Sequence, residues 1–394
     1  MSTLSPLCRE LSLGVKAMLD DLPVTTRKRV AFLVLGILLS GSVVQRLIGS
    51  KLRSYIGGST SAESHERRLR RVLSDKSVSW EEVYAPTLKQ VLKWQRAKRL
   101  TVLMDESGHS EVFRVLTAAL WYRGRAIPLG WLSWEAQQPL QRSYWEYVRD
   151  LLAMVESVLP KGPRVLIIAD RAYGHPAFID LVTPRGWDWL VRVQRQTCYR
   201  DARGKRTQLS RFLTKPGQRW RGRGWLFRKA GWRECSCVAY WSRSHREPLL
   251  LASSLAAEWD LIALYRLRGA IETLFRDWKS AGWHWEASQL RSPAQHDRLL
   301  VGMAWATLVV LCLGNQLANS LLTATPRPRR TLPWHAKHSL FRLGLDQLDA
   351  RLFDTDQTPL LWELADFDAP AWQRQVRERQ TQAIVWSPTL PKAA

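Results

Sequence analysis

The stretch Arg164-Val165-Leu166-Ile167-Ile168-Ala169-Asp170 decides the fold. Its apolar residues follow one another without polar alternation, the pattern of a strand buried on both faces, as in parallel sheets covered by helices. Its flanks agree. Residues 143–159 have helical periodicity, closed by Pro160 and Gly162. Pro176 is placed to open a helix reaching Val182, because a missing N–H costs nothing in a first turn. Residues 187–193 then read as another strand. Farther upstream, 99–105 is an apolar run of strand length ending at Asp105, and 112–122 and 127–134 are two more. The Arg123-Gly124-Arg125 turn between those two joins them as a hairpin.

The order is three strands, helix, strand, helix, strand. It resembles a ribonuclease H-like (retroviral integrase-like) core, in which an antiparallel meander continues into parallel αβ units, so an α/β fold is expected. Residues 195–258 interrupt that rhythm with Arg, Gly and Trp and with strand-like runs at 225–228, 234–241 and 248–255, a β-rich insertion. A helix over 261–281 closes the core, and 299–322 is another. Residues 1–95 read as helical, with a break at Gly57-Gly58-Ser59-Thr60-Ser61. Ser64 is placed to cap a helix from His65 that carries Arg67, Arg68, Arg70 and Arg71, the form of a DNA-reading element or of a solvated charged face. Three regions follow: 1–95, a helical DNA-binding region; 96–322, the core; and 323–394, a tail with Pro326, Pro328 and a helical segment suited to dimer or DNA contacts.

Composition narrows the function. Hydrophobic residues make up 46% of the 394, enough for a real core. Lys and Arg outnumber Asp and Glu by 59 to 35, a formal charge of +24, which creates a field that attracts polyanions, DNA foremost. The 21 Trp, often beside Arg, suit base stacking as well as core packing. The five Cys form no even disulfide framework and no paired zinc motif, so reduced thiols in a cytoplasmic protein are expected. Residues 30–44 and 299–313 are apolar but shorter than the roughly 20 residues of a membrane span, so no membrane partner is expected.

Asp105 and Asp170 close two runs that lie side by side in such a sheet. Paired carboxylates at the ends of buried strands are costly unless a cation sits between them, and hard oxygen ligands suit Mg²⁺ or Mn²⁺. On the 261–281 helix, Tyr265, Arg268, Glu272 and Lys279 fall on one stripe at about 100° per residue. Leu264, Leu267, Ile271, Leu274, Phe275 and Trp278 occupy the adjoining arc and pack on the sheet. By periodicity alone the stripe is equally an ordinary solvated face with an Arg268–Glu272 pair.

The spacing Tyr265-x2-Arg268-x3-Glu272-x6-Lys279 resembles the Y-R-E-K signature of the IS4 family of bacterial insertion-sequence transposases. Asp170-Arg171-Ala172-Tyr173 resembles that family's second-Asp motif, and Asp105 stands where its first Asp stands. The likeness extends over about 95–315. It implies a DDE transposase that cleaves transposon ends and joins the 3′-hydroxyl to target DNA. Asp105, Asp170 and Glu272 would be both catalytic residues and ligands of two Mg²⁺ ions, with Mn²⁺ able to substitute. Arg268 and Lys279 would contact DNA phosphates, Tyr265 would hydrogen-bond a phosphate or stack, and an insertion Trp (220, 225 or 232) would receive a flipped base. The implied partners are double-stranded DNA, as terminal inverted repeats and target, and a second copy of the chain in the synaptic complex. The alternatives are an inactive transposase-derived repressor and another ribonuclease H-like nuclease.

Overall fold

The computed structural model describes residues 6–56, 59–93, 97–324, 338–353 and 364. The Gly57-Gly58 break and most of the tail after 324 lie outside them. Helices α1 (Pro6–Ala17), α2 (Val24–Ser40), α3 (Gln45–Ile56), α4 (Ala62–Leu73) and α5 (Ala85–Leu92) come first. Strands β1 (Arg99–His109), β2 (Phe113–Tyr122) and β3 (Arg125–Glu135) follow, then α6 (Tyr144–Val158), β4 (Arg164–Ala169), α7 (Pro176–Val182) and β5 (Asp188–Arg192). The insertion carries β6 (Cys198–Arg200), β7 (Arg206–Gln208), β8 (Arg219–Leu226), β9 (Arg233–Tyr240) and β10 (Leu249–Ser253). Helices α8 (Asp260–Arg266), α9 (Gly269–Arg276), α10 (Pro293–Ala324) and α11 (Leu340–Phe353) complete the order.

The chain divides into two compact units, one of residues 1–96, 122–127 and 277–394, the other of 97–121 and 128–276. The break at 96/97 falls beside the sequence boundary at 95, whereas none falls at 322, because 277–394 groups with 1–96. The reason is visible in the first unit, where α10 packs on α2: a Cβ on Gly302 would come within 2.7 Å of the Leu33 side chain. Residues 30–39 of α2 are buried throughout, and Gly41 ends the helix in the left-handed region at φ +58°. The apolar part of α10 is longer than its charge-free core suggested, 28 residues, and 94% of its most apolar window is buried. Trp278, Trp283, Trp285 and Trp305 are fully buried in this unit. The indole N–H groups of Trp278 and Trp283 both donate to Thr307 Oγ1 at 3.0 Å, so these tryptophans are core residues. Arg125 and Asp277 form a buried ion pair at 3.0 Å.

The second unit is built on one sheet of order β3-β2-β1-β4-β5-β10-β9-β8-β6-β7. β1 is antiparallel to β2 and parallel to β4, and β4 is parallel to β5. That half has the strand order of a ribonuclease H-like core. One expectation needs correction. Strand β1 does not end at Asp105 but continues to His109, because 105–109 pair with 113–117 of β2. In the insertion, β10 pairs with β5, so its strands extend the core sheet. Ser143 caps α6 in a capping box with Glu146, which fixes the start of the helix that covers one face.

Candidate active site

Asp105 and Asp170 come from neighbouring parallel strands. The register pairs Met104 with Ala169, which puts Asp105 and Asp170 one step on, side by side. Asp170 leaves the strand and caps the tight turn Arg171–Tyr173, its Oδ1 accepting from the Ala172 N–H at 2.8 Å. Glu272 comes from α9, which lies against β1.

The 261–281 helix is not continuous, a second correction to the sequence reading. It breaks at Leu267–Arg268 into α8 and α9, joined by tighter bonds such as Arg268 N–H to Tyr265 O at 3.1 Å. At that break Arg268 turns its guanidinium to the sheet. Nη2 donates to Asp105 Oδ2 at 2.8 Å, and Nη1 bonds to Glu272 Oε1. One cation thus joins the first Asp and the Glu of the expected triad.

Burial, against the pull of Arg268 and the Glu106 N–H and with the charges of Asp170 and Glu272, pushes the Asp105 carboxyl up to about 6. Burial also raises the Tyr265 phenol to about 12, so it stays protonated at neutral pH; the charges of Arg268, Arg192, Asp170 and Asp105 all act on it. Asp105, Asp170, Glu272, Tyr265 and Arg268 therefore belong to one constellation. Lys279 lies in the first unit, in the helical turn Asp277–Ala281, with Nζ 3.3 Å from Glu286.

The donor set suits a hard dication. It is made of carboxylates alone, and they repel one another in a half-buried place. Among the described residues no group of three or more His, Cys, Asp or Glu side chains is gathered around one point. In this arrangement Arg268 supplies the positive charge, and an ion bound by Asp105 and Glu272 would take over its role.

Arginines that sequence reading passed over line the same face. Arg192 stands opposite Leu251, Leu251 opposite Val238, and Val238 opposite Arg221, so they form one cross-strand row. By the β4–β5 register, that row begins at Asp170. Arg219 and Arg223 flank Arg221 at alternate positions of β8, and Arg200 of β6 stands opposite Trp225. The signal was present as Arg219-x-Arg221-x-Arg223, a period of two. Arg219 and Arg221 lie over the Trp259 ring at 4.8 and 5.4 Å, and Arg200 over Trp225 and Trp232 at 5.0 and 4.7 Å. Trp220 projects to the opposite face, where its ring stacks on Phe212 at 3.9 Å and lies over Gly222.

The α4 arginines are a separate feature of the first unit. Ser61, not Ser64, caps that helix: its side chain accepts from the Ser64 N–H at 3.2 Å, which starts the helix at Ala62. Arg68 stacks on the Phe32 ring at 4.2 Å, Arg70 pairs with Glu66, and Arg67 bonds to Ser64 Oγ at 3.2 Å. Arg71 is exposed.

Residues 146–309 match the family model of a transposase DDE domain. The match supports a DDE transposase, and it takes in Asp170 and Glu272 but not Asp105. No curated protein matches the chain. Among solved structures, it is similar to a piggyBac transposase in a synaptic complex with hairpin DNA, at 12% identity and a TM-score of 0.43. That likeness covers 98% of this chain and 84% of the other.

Proposed function

We propose that this chain is a DNA transposase of the Asp-Asp-Glu type, which cleaves transposon ends and joins the freed 3′-hydroxyl to target DNA. One observation carries the reading: Asp105 and Asp170 stand side by side on parallel strands, and Arg268 brings Glu272 to Asp105. The transposase DDE domain match over two of the three supports it. The Tyr265-Arg268-Glu272-Lys279 spacing supports a reading as an IS4-type element.

Asp105, Asp170 and Glu272 would hold two Mg²⁺ ions, with Mn²⁺ able to substitute. When bound, such ions supply activation of the attacking oxygen and stabilisation of the leaving oxygen in an in-line displacement at phosphorus. The protein's own groups bind and orient. Arg268, drawn off its carboxylates, neutralises a phosphate oxygen, and the protonated Tyr265 phenol donates a hydrogen bond to another. The exposed β8 arginines Arg219, Arg221 and Arg223, together with Arg192 beside Asp170 in the register, contact DNA phosphates on the sheet face that carries Asp105. Their exposed partners Glu247, Glu258 and Glu234 release these arginines at little cost, since such surface pairs contribute about 0–1 kcal/mol. The α4 arginines add a second DNA contact, and two copies of the chain handle two ends in a cytoplasmic, nucleoid-associated complex.

The test uses labelled duplex carrying the terminal repeats that flank the gene, with Mg²⁺, Mn²⁺ or Ca²⁺. The wild type is expected to give metal-dependent 3′-hydroxyl ends and joined products, and Glu272→Gln to bind the ends without cutting. Binding without cleavage by the wild type under every metal would make the chain a transposase-derived repressor.

A further inference from the structure

Glu106 follows Asp105 on β1, and its side chain therefore points to the opposite face of the strand. Its half-buried carboxylate accepts a hydrogen bond from Tyr144, in the first turn of α6. The Tyr144 and Tyr173 hydroxyl oxygens are 3.0 Å apart. A carboxylate only accepts, so Tyr144 donates to Glu106 and Tyr173 donates to Tyr144. Tyr173 is 1% exposed and ends the turn that Asp170 caps.

The other side of that turn is equally confined. Gly174 lies hard against β5: a Cβ there would come within 2.6 Å of the Arg192 carbonyl oxygen and 3.3 Å of the Val193 Cα. The turn is held between the β5 backbone and the phenol relay. Burial and the charge of Asp170 both disfavour the ionised Glu106, whereas the Tyr144 bond favours it.

We infer that Glu106, acting through Tyr144 and Tyr173, is a positioning residue that fixes the Asp170 turn where its carboxylate can share a cation with Asp105. The inference rests on the reading of Asp105 and Asp170 as cation ligands. Groups that orient a ligand from behind set metal affinity, and their loss weakens it by about 10–100-fold. A residue that only fills space has no such effect while the ring remains.

The test uses the full-length chain with a duplex end, and follows Mn²⁺ binding by electron paramagnetic resonance and the Mg²⁺ needed for half-maximal cleavage. D170N defines the signal that belongs to this site, and thermal unfolding checks each fold. Y144F keeps the ring and removes the relay, E106A removes the acceptor, and E106Q restores an uncharged one. Y144F and E106A are expected to lose about 10–100-fold in metal affinity, with cleavage at saturating metal near wild type and E106Q recovering most of the loss. Affinity in Y144F within about twofold of wild type, far below an orienting group's effect, overturns the inference. So does an E106Q no better than E106A, or a wild type that takes up no Mn²⁺ at this site. If Y144F does not fold, the E106A and E106Q pair carries the same comparison. A wild type that binds Mn²⁺ but never cuts defeats the transposase reading, while the Mn²⁺ comparison still decides the positioning role.

Discussion

Asp105→Asn separates a stabilising ion pair from a binding group kept at a cost. Asp105 is 15% exposed and bonded to Arg268, and as an ordinary salt bridge its loss would destabilise the protein. The balance at the site points the other way. Burial lifts the carboxyl from 3.8 to about 6 despite Arg268. At about 1.4 kcal/mol per pH unit, the ionised form costs about 3 kcal/mol relative to the unfolded chain. Between those two values the folded protein holds more protons than the unfolded one, so stability falls as pH rises through that window and the full cost persists above it. The Asn variant carries no such cost. It is expected to be about 3 kcal/mol more stable than wild type at about pH 8, with the gap closing towards pH 4. For a unit of 150–250 residues this is a rise of about 6–12 °C in Tm. Urea unfolding of both proteins across that pH range reads the difference. Mg²⁺ should narrow the gap by stabilising wild type alone, by about 2.7 kcal/mol at a hundred times its Kd. An Asn variant less stable than wild type at pH 8, or a difference independent of pH, would refute the reasoning.

Arg219→Ala with Arg221→Ala should weaken end binding and lower the slope of log affinity against log salt by about 0.9 for each phosphate left without its arginine, measured by fluorescence anisotropy. An unchanged slope would take the arginine row off the DNA path. Arg125→Ala removes the guanidinium paired with Asp277, itself 6% exposed, and should cost the first unit about 3–5 kcal/mol in urea unfolding. A loss below about 1 kcal/mol would mean that Asp277 is satisfied elsewhere, since even an exposed pair reaches that value.

Much of the fold was legible because its strands and helices announce themselves locally. Pro176 and the apolar spacing after it gave α7 its observed bounds, and the unbroken apolar run of β4 marked a strand covered on both faces. The misses have physical causes. The last residues of β1, Glu106-Ser107-Gly108-His109, lack strand character and are strand only because β2 pairs with them. β6 and β7 are three residues each, too short for any period to show, and their stability comes from neighbours. At the α8–α9 break, Leu267 and Arg268 are both good helix formers. The interruption coincides with the reach of Arg268 to Asp105, a hydrogen bond across 163 residues that no local pattern contains.

The site shows the same limit more sharply. Arg268 and Glu272, four residues apart on a helix, are indistinguishable in sequence from a surface pair contributing about 0.2–0.5 kcal/mol. Their setting distinguishes them. The Arg268 side chain is 16% exposed, and its Nε is buried with no partner among the described residues. An unsatisfied buried donor costs about 1–3 kcal/mol, more when charged, and a purely structural ion pair has no reason to keep it. On the other side of the pair, Asp105 is held ionised against burial and against two neighbouring carboxylates. Both members are thus left short, the guanidinium of an acceptor and the carboxylate of positive charge. A phosphate oxygen would satisfy the first and a divalent cation the second. On the transposase reading, DNA with its metal would bring both together, and neither a folding core nor a solvated surface would bring either.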